Sequence, residues 1–202
     1  MNAGVILLAG GQSSRMGTNK ALLPIAGQKN IVRIIEELSR VFPPPTLVTN
    51  QPEDYKELGL PMVGDKFLGK GPLAGLHAGL LASPYEENLL VACDMPFASS
   101  RLGQFLCNQL KGFDAVVPCL DGKHHPLFAV YRKSALPIAE DCLRQDRLRM
   151  FDFMKRLRVN EIQVENISLD MDLEKAFFNM NRPSDFEQAK EWAGQDQLSG
   201  GR

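Results

Sequence analysis

The sequence predicts an α/β fold: a three-layer, Rossmann-like architecture in which a mostly parallel, twisted sheet carries helices on both faces. Three observations lead there. Short apolar runs of strand length alternate with amphipathic segments of helix length, the pattern of repeated β-α units. Two of the runs, at residues 4–8 and 88–93, read as strands buried inside the sheet. The first of them runs directly into a glycine-rich turn, and the carboxyl edge of such a sheet is where ligands bind.

The elements follow in order. Residues 4–8 form the first strand. Ile31, Ile34, Ile35 and Leu38 recur at helical spacing and predict a helix over 31–41, stopped by Pro43, Pro44 and Pro45. A second strand covers 46–49, a short polar helix 52–58 and a short strand 62–63. A helix over 72–81 opens on Pro72, which suits a first turn, and carries Gly75 and Gly79 on one face, so that it can pack close to the sheet. Strand 88–93, helix 99–110 and strand 114–118 complete the regular part. The remainder is wound less regularly: strand 127–131, helices 134–143 and 149–157, and strand 159–164. The last helix spans 183–192, with Ser184 and Glu187 in a capping-box pattern. Residues 1–193 read as one domain and 194–202 as a flexible polar tail.

Composition narrows the partners. The 202 residues carry 23 Lys and Arg against 24 Asp and Glu, a formal charge of -1. General binding to nucleic acid or to anionic membranes needs a basic surplus that this chain lacks, which leaves room only for a local basic pocket. Cys93, Cys107, Cys119 and Cys142 form no C-x-x-C pair, so scattered reduced thiols are expected rather than a zinc site or a disulfide framework. The first apolar run is too short for a signal sequence and has no cationic leader, and a cytoplasmic location is expected.

The densest chemistry lies in residues 8–20, LAGGQSSRMGTNK. Glycines let backbone N–H groups approach phosphate oxygens, and Arg15 and Lys20 can add charge-assisted contacts. A plain glycine-rich β-α turn with surface cations is the competing reading. Lys20 lies three residues past Gly17, which excludes a Walker A loop, and G-x-G-x-x-G is absent, which excludes the dinucleotide fingerprint.

This segment resembles the signature L-x-G-G-x-S-x-R-M-G-x-x-K of nucleotidyltransferases with a GT-A-like, nucleotide-diphospho-sugar transferase-like fold. With Ala9 before Gly10 and Gly11, it is most similar to the molybdenum cofactor guanylyltransferase (MobA) family. Further motifs agree: Asp65 followed by Gly71-Pro72-Leu73-Ala74-Gly75, Cys93-Asp94-Met95-Pro96-Phe97, His125-Pro126, and Asn179-Met180-Asn181. The last departs from the family at Arg182 and Ser184, so capping of the final helix is expected to fall to Ser184 or Asn181.

The resemblance implies transfer of GMP from GTP to the terminal phosphate of molybdopterin, with Mg²⁺ as cofactor and release of pyrophosphate. It implies Arg15, Lys20 and Asp94 as catalytic residues, and Leu8, Ala9, Gly10, Gly11, Lys20, Asp65 and Asp94 as nucleotide-binding residues. Asp94 is the implied metal ligand, because Mg²⁺ takes one or two carboxylates and completes its shell with phosphate and water. His125, Asn179 and Asn181 are the implied acceptor contacts, with Lys123 beside His125. Adjacent His124 and His125 are not expected to share an ion, since strand neighbours face opposite ways. Asn50 matches a family asparagine loosely and serves equally well as a turn residue. Expected partners are GTP and molybdopterin, extending to other molybdenum cofactor proteins or apo-molybdoenzymes, without nucleic acid or membrane. Three alternatives stay open: a cytidylyltransferase for the same cofactor, a sugar-phosphate nucleotidyltransferase, and a catalytically silent nucleotide-binding protein.

Overall fold

Eight strands form the central sheet of the computed structural model, which describes residues 2–10 and 19–199. Within these residues the strands are β1 (Gly4–Leu8), β2 (Pro24–Ile25), β3 (Gln28–Lys29), β4 (Thr46–Val48), β5 (Met62–Val63), β6 (Glu87–Ala92), β7 (Ala115–Leu120), β8 (Lys123–His124), β9 (Phe128–Arg132) and β10 (Val159–Gln163). The helices are α1 (Asn30–Leu38), α2 (Gly71–Ala82), α3 (Ser100–Asn108), α4 (Leu136–Arg144), α5 (Met150–Met154), α6 (Leu173–Ala176) and α7 (Pro183–Ser199). None of the helices in the described residues is long and apolar enough to cross a membrane.

The sheet runs β10-β7-β9-β6-β1-β4-β5, with β8 beside β7 and a separate β2-β3 hairpin. Strands β1, β4, β5 and β6 are mutually parallel, as are β7 and β10, while β9 runs antiparallel to both β6 and β7. The chain leaves β1 for β4 on one side and returns to β6 on the other, so the carboxyl end of β1 is a switch point where a crevice opens.

Two cores sandwich the sheet, as a three-layer fold requires. Val5 and Leu7 pack with Ile31, Ile34 and Leu38 of α1 and Leu102 and Leu106 of α3. Ile6 and Leu8 point the other way, against Leu73, Leu76 and Leu80 of α2 and Ala139, Cys142 and Leu143 of α4. The alternation along β1 is the period of two that a strand imposes. Helix α2 is buried from Leu73 to Leu80, and its two inner glycines lie directly on this strand: a methyl group at Gly75 would meet Leu8, and one at Gly79 would meet Ile6. The close-packing role expected of those glycines is therefore met.

Several local expectations change. Residues 52–58 form two 3₁₀ turns, Pro52–Asp54 and Lys56–Leu58, hinged at Tyr55, instead of one helix. The β2-β3 hairpin and α6 had no counterpart in the sequence reading. Helix α7 continues through Ser199, so the boundary expected at residue 193 falls inside it, and Asp196 receives a hydrogen bond from Lys175 Nζ at 2.6 Å. Its start is closed neither by Ser184 nor by Asn181. The Asp185 carboxylate reaches back to accept from the backbone N–H groups of Asn181 and Arg182, both at 2.7 Å, the acidic half of a capping box. An apolar cluster of Ile25, Met180, Ala189 and Ala193 then seats α7 on the β2-β3 hairpin.

One ion pair fastens the far side of the sheet. Asp114, just before β7, accepts from the backbone N–H of Arg158 at 3.0 Å, from its Nε at 3.1 Å and from Ser134 Oγ at 2.7 Å. The Arg158 guanidinium holds this carboxyl down at about 2. Because the folded value lies below the unfolded one, the stabilisation is present above about pH 4 and lost as pH falls toward 2. Asp114→Asn is expected to cost about 1–2 kcal/mol at pH 7, since Arg158 is solvent-exposed, and nearly nothing at pH 2. Thermal melts at the two pH values check this; an equal loss at both would show that charge is not the cause.

Candidate functional site

The glycine-rich turn leaves the sheet between two neighbours that hold its first residues. Leu8 O accepts from Cys93 N at 3.0 Å, and Ala9 N donates to Val48 O at 2.9 Å. At this point a cleft of about 660 Å³ opens, lined among others by Leu8, Ala9, Gly10, Lys20, Asn50, Asp65, Pro72 and Asp94. Its size suits a small phosphorylated ligand. The structure thus brings together Leu8, Ala9, Gly10, Lys20, Asp65 and Asp94, all expected at one nucleotide site. Gly11 and Arg15 lie outside the described residues. A separate hollow of about 450 Å³, lined by Arg33, Phe97 and Lys175 among others, contains none of the sheet-end glycines or carboxylates.

Asp94 lies two residues beyond the end of β6. Its Oδ1 is buried and has no hydrogen-bond partner among the described residues. Burial pushes its carboxyl above the usual range, and the Lys20 ammonium pulls in the opposite direction. A buried acidic oxygen without a partner among the described residues, beside a phosphate-sized cleft, fits a hard divalent cation. The described residues hold no group of three or more His, Cys, Asp or Glu that could cage an ion, so a cation at Asp94 would complete its shell from ligand oxygens and water. Cys93, its neighbour, is kept protonated: burial pushes the thiol up to about 12.

Lys20 begins a 3₁₀ turn, Lys20–Leu22, whose N-cap is Asn19; the Asn19 side chain accepts from Ala21 N at 3.1 Å. From there Lys20 Nζ reaches Asn181 Oδ1 at 3.4 Å. Opposite, Asn50 and Asp65 clasp each other: Asn50 Nδ2 donates to Asp65 Oδ2 at 3.1 Å, and Asp65 N donates to Asn50 Oδ1 at 2.8 Å. Burial raises the Asp65 carboxyl and the Asn50 amide lowers it. Sequence alone left Asn50 undecided, because a turn explained it as well. The register of β4 on β5 brings residues 50 and 65 side by side and so pairs them.

The expected acceptor residues divide. The Asp94 carbonyl accepts from Met180 N at 2.8 Å, which draws residues 179–181 to Asp94. Asn181 meets Lys20, whereas Asn179 turns its amide to Phe177 O at 2.8 Å. His125 does not line the cleft among the described residues. It is buried and lies against the Phe177 ring, centroids 4.3 Å apart, and burial with Lys123 nearby lowers its pKa to about 4. His124 faces away, toward Glu161 at 3.2 Å, so the two histidines are indeed divergent.

The profile of the MobA-like NTP transferase domain matches residues 5–159, a span that holds the cleft's glycines, Lys20, both carboxylates and most of the sheet. The chain belongs to the MobA-like NTP transferase family. Among its relatives, a probable molybdenum cofactor guanylyltransferase of Pelotomaculum thermopropionicum is 40% identical over 186 residues, covering 92% of this chain and 90% of that one. The molybdenum cofactor guanylyltransferase of Desulfosudis oleivorans is 32% identical over 188 residues, covering 92% and 93%. Among solved structures, molybdopterin-guanine dinucleotide biosynthesis protein A of Archaeoglobus fulgidus superposes with a TM-score of 0.83 at 27% identity, covering 95% of this chain and 99% of that one. In this MobA-like protein the segment that opens at Gly10 leaves the sheet at its switch point.

Proposed function

We propose that this MobA-like protein transfers GMP from GTP to the terminal phosphate of molybdopterin and releases pyrophosphate. The observation that carries the proposal is the Asp94 oxygen, buried and without a partner among the described residues at the glycine-lined sheet edge, with the Lys20–Asn181 contact nearby. The relatives named as guanylyltransferases supply the choice of base and acceptor.

Both reactants are anions, so the reaction asks the protein for positioning and charge neutralisation. In this reading Gly10 offers backbone N–H to the triphosphate, with Gly11 and Arg15 of the same loop. Lys20 steadies the charge that grows on the departing pyrophosphate. Asn50 and Asp65 hold the nucleoside end, and Asn181 the acceptor. An oxygen of the molybdopterin phosphate attacks the α-phosphorus, the bond to the β-phosphate breaks, and its electron pair leaves with pyrophosphate. No general base is needed, because a phosphate monoester is already ionised near neutral pH. Asp94 would hold a Mg²⁺ ion, which supplies charge neutralisation at phosphate oxygens.

Incubation with GTP, Mg²⁺ and molybdopterin tests the proposal. One guanine dinucleotide is expected for each pyrophosphate released, with CTP and ATP at least tenfold poorer. Equal or better turnover of CTP would transfer the reading to a cytidylyltransferase, and tight GTP binding without product would leave a binding protein.

A further inference from the structure

Tyr55 stands between the two 3₁₀ turns of residues 52–58, fully buried in the core under β1 and outside the described lining of the cleft. Its hydroxyl nevertheless meets both ends of the glycine-rich segment. Asn19 Nδ2 donates to Tyr55 Oη at 2.8 Å, and Tyr55 Oη lies 3.3 Å from Ala9 O and 3.1 Å from Asn19 Oδ1. A phenol has one proton to give. Asn19 Oδ1 already receives Ala21 N–H, so the assignment that satisfies every group sends the Tyr55 proton to the Ala9 carbonyl. The result is one chain of bonds: Ala21 N–H to Asn19, Asn19 to Tyr55, Tyr55 to Ala9. Ala9 is where the segment leaves β1; Asn19 is where it re-enters regular structure, one residue before Lys20. Burial pushes the phenol up to about 12, so it remains a donor throughout the neutral range.

We propose that Tyr55 is a positioning residue for the triphosphate site: its hydroxyl ties the two stems of the glycine-rich segment together and so sets the Lys20 ammonium relative to the Gly10 backbone. The inference rests on the nucleotidyltransferase reading above. It assigns a role to a side chain that touches no substrate and that sits on the insert between β4 and β5, remote in sequence from the residues it orders. A ring in the core with its hydroxyl turned to the surface would need no such partners; this hydroxyl is aimed at the one carbonyl and the one amide that bracket the segment.

The test compares Tyr55→Phe, Lys20→Ala and the double variant by GTP affinity and by kcat/KM for GTP in the complete reaction, each checked for a native melt. Tyr55→Phe keeps the ring and removes only the hydroxyl. It is expected to lower kcat/KM about tenfold, as loss of a buried hydrogen bond and of near-attack alignment would. Asn19→Ala, which breaks the same chain from the other end, is expected to reproduce it, and serves where Tyr55→Phe melts early. In the Lys20→Ala background, removal of the hydroxyl is expected to cost less than about threefold, because the group it positions is gone. A merely structural role would give the same factor in both backgrounds, and that result overturns the proposal, as does an unchanged kcat/KM in Tyr55→Phe. If the wild-type protein neither binds nor turns over GTP, the functional reading falls together with the inference; if it does both and Tyr55→Phe matches it, only the inference falls.

Discussion

Asp94→Asn is expected to abolish Mg²⁺-dependent pyrophosphate release, a loss of about a thousandfold or more, in a protein that melts no lower than the wild type. The two halves of this expectation share one cause. Asp94 Oδ1 is buried without a partner among the described residues, and burial raises its pKa despite the opposing pull of Lys20. A carboxyl whose folded pKa exceeds its unfolded value costs stability at pH 7, and the cost disappears once pH falls below the unfolded value. Asparagine keeps the shape and removes the charge. The melting temperature of Asp94→Asn should therefore equal or exceed that of wild type at pH 7, and the difference should close in acid. The catalytic half follows from what the carboxylate offers: Mg²⁺ is held mainly through anionic carboxylates, and a neutral amide oxygen brings no charge to it. Full Mg²⁺-dependent activity in the variant would remove Asp94 from the metal-binding role, and a marked fall in its melt would show that the carboxylate has a structural partner.

How far the sequence reached depends on the distance over which each feature is encoded. Strands β1 and β6 were legible because burial on both faces leaves unbroken apolar runs, and α1 because Ile31, Ile34 and Leu38 mark a single face. The two-residue strands of the β2-β3 hairpin are too short to carry a period, and Gly27, at φ +81°, does little more than announce a turn. Residues 194–202 read as a tail, yet α7 runs through Gly194 to Ser199, held in part by the Lys175–Asp196 contact that no local pattern shows. The site divides in the same way. Gly10, Lys20 and Asp94 sit in contiguous motifs whose chemistry can be read in place. Asn50 and Tyr55 draw their meaning from Asp65, Ala9 and Asn19, which only the folded chain brings near. His125 shows the reverse: its motif implied an acceptor contact, while Phe177, distant in the sequence, packs on its buried ring.

Gly79→Val is expected to unfold the protein or to lower its melting point by well over ten degrees. Gly79 lies in the middle of α2, where replacement of glycine by alanine would ordinarily add about 1 kcal/mol through helix propensity. Here the sign reverses. A Cβ at this position would overlap three side-chain carbons of Ile6, which is fully buried on β1 and, being β-branched, has one favoured rotamer and no room for another. Gly79→Ala should already cost about 1–3 kcal/mol, and valine, with two further methyls in the same space, more than 4 kcal/mol. The damage should also reach the site. Helix α2 starts at Gly71 and Pro72 and passes Gly75, all three lining the cleft, so a helix lifted from β1 moves one wall of the nucleotide pocket away from Leu8 and Asp94. A folded Gly79→Ala protein is thus expected to bind GTP several-fold more weakly than wild type. The contact responsible is testable directly: Gly79→Ala combined with Ile6→Ala should be less destabilised than the sum of the two single changes, because the second removes the atoms that the first strikes. Simple additivity of the two changes, or a melt for Gly79→Ala at or above that of wild type, would show that α2 does not rest on β1 through this glycine.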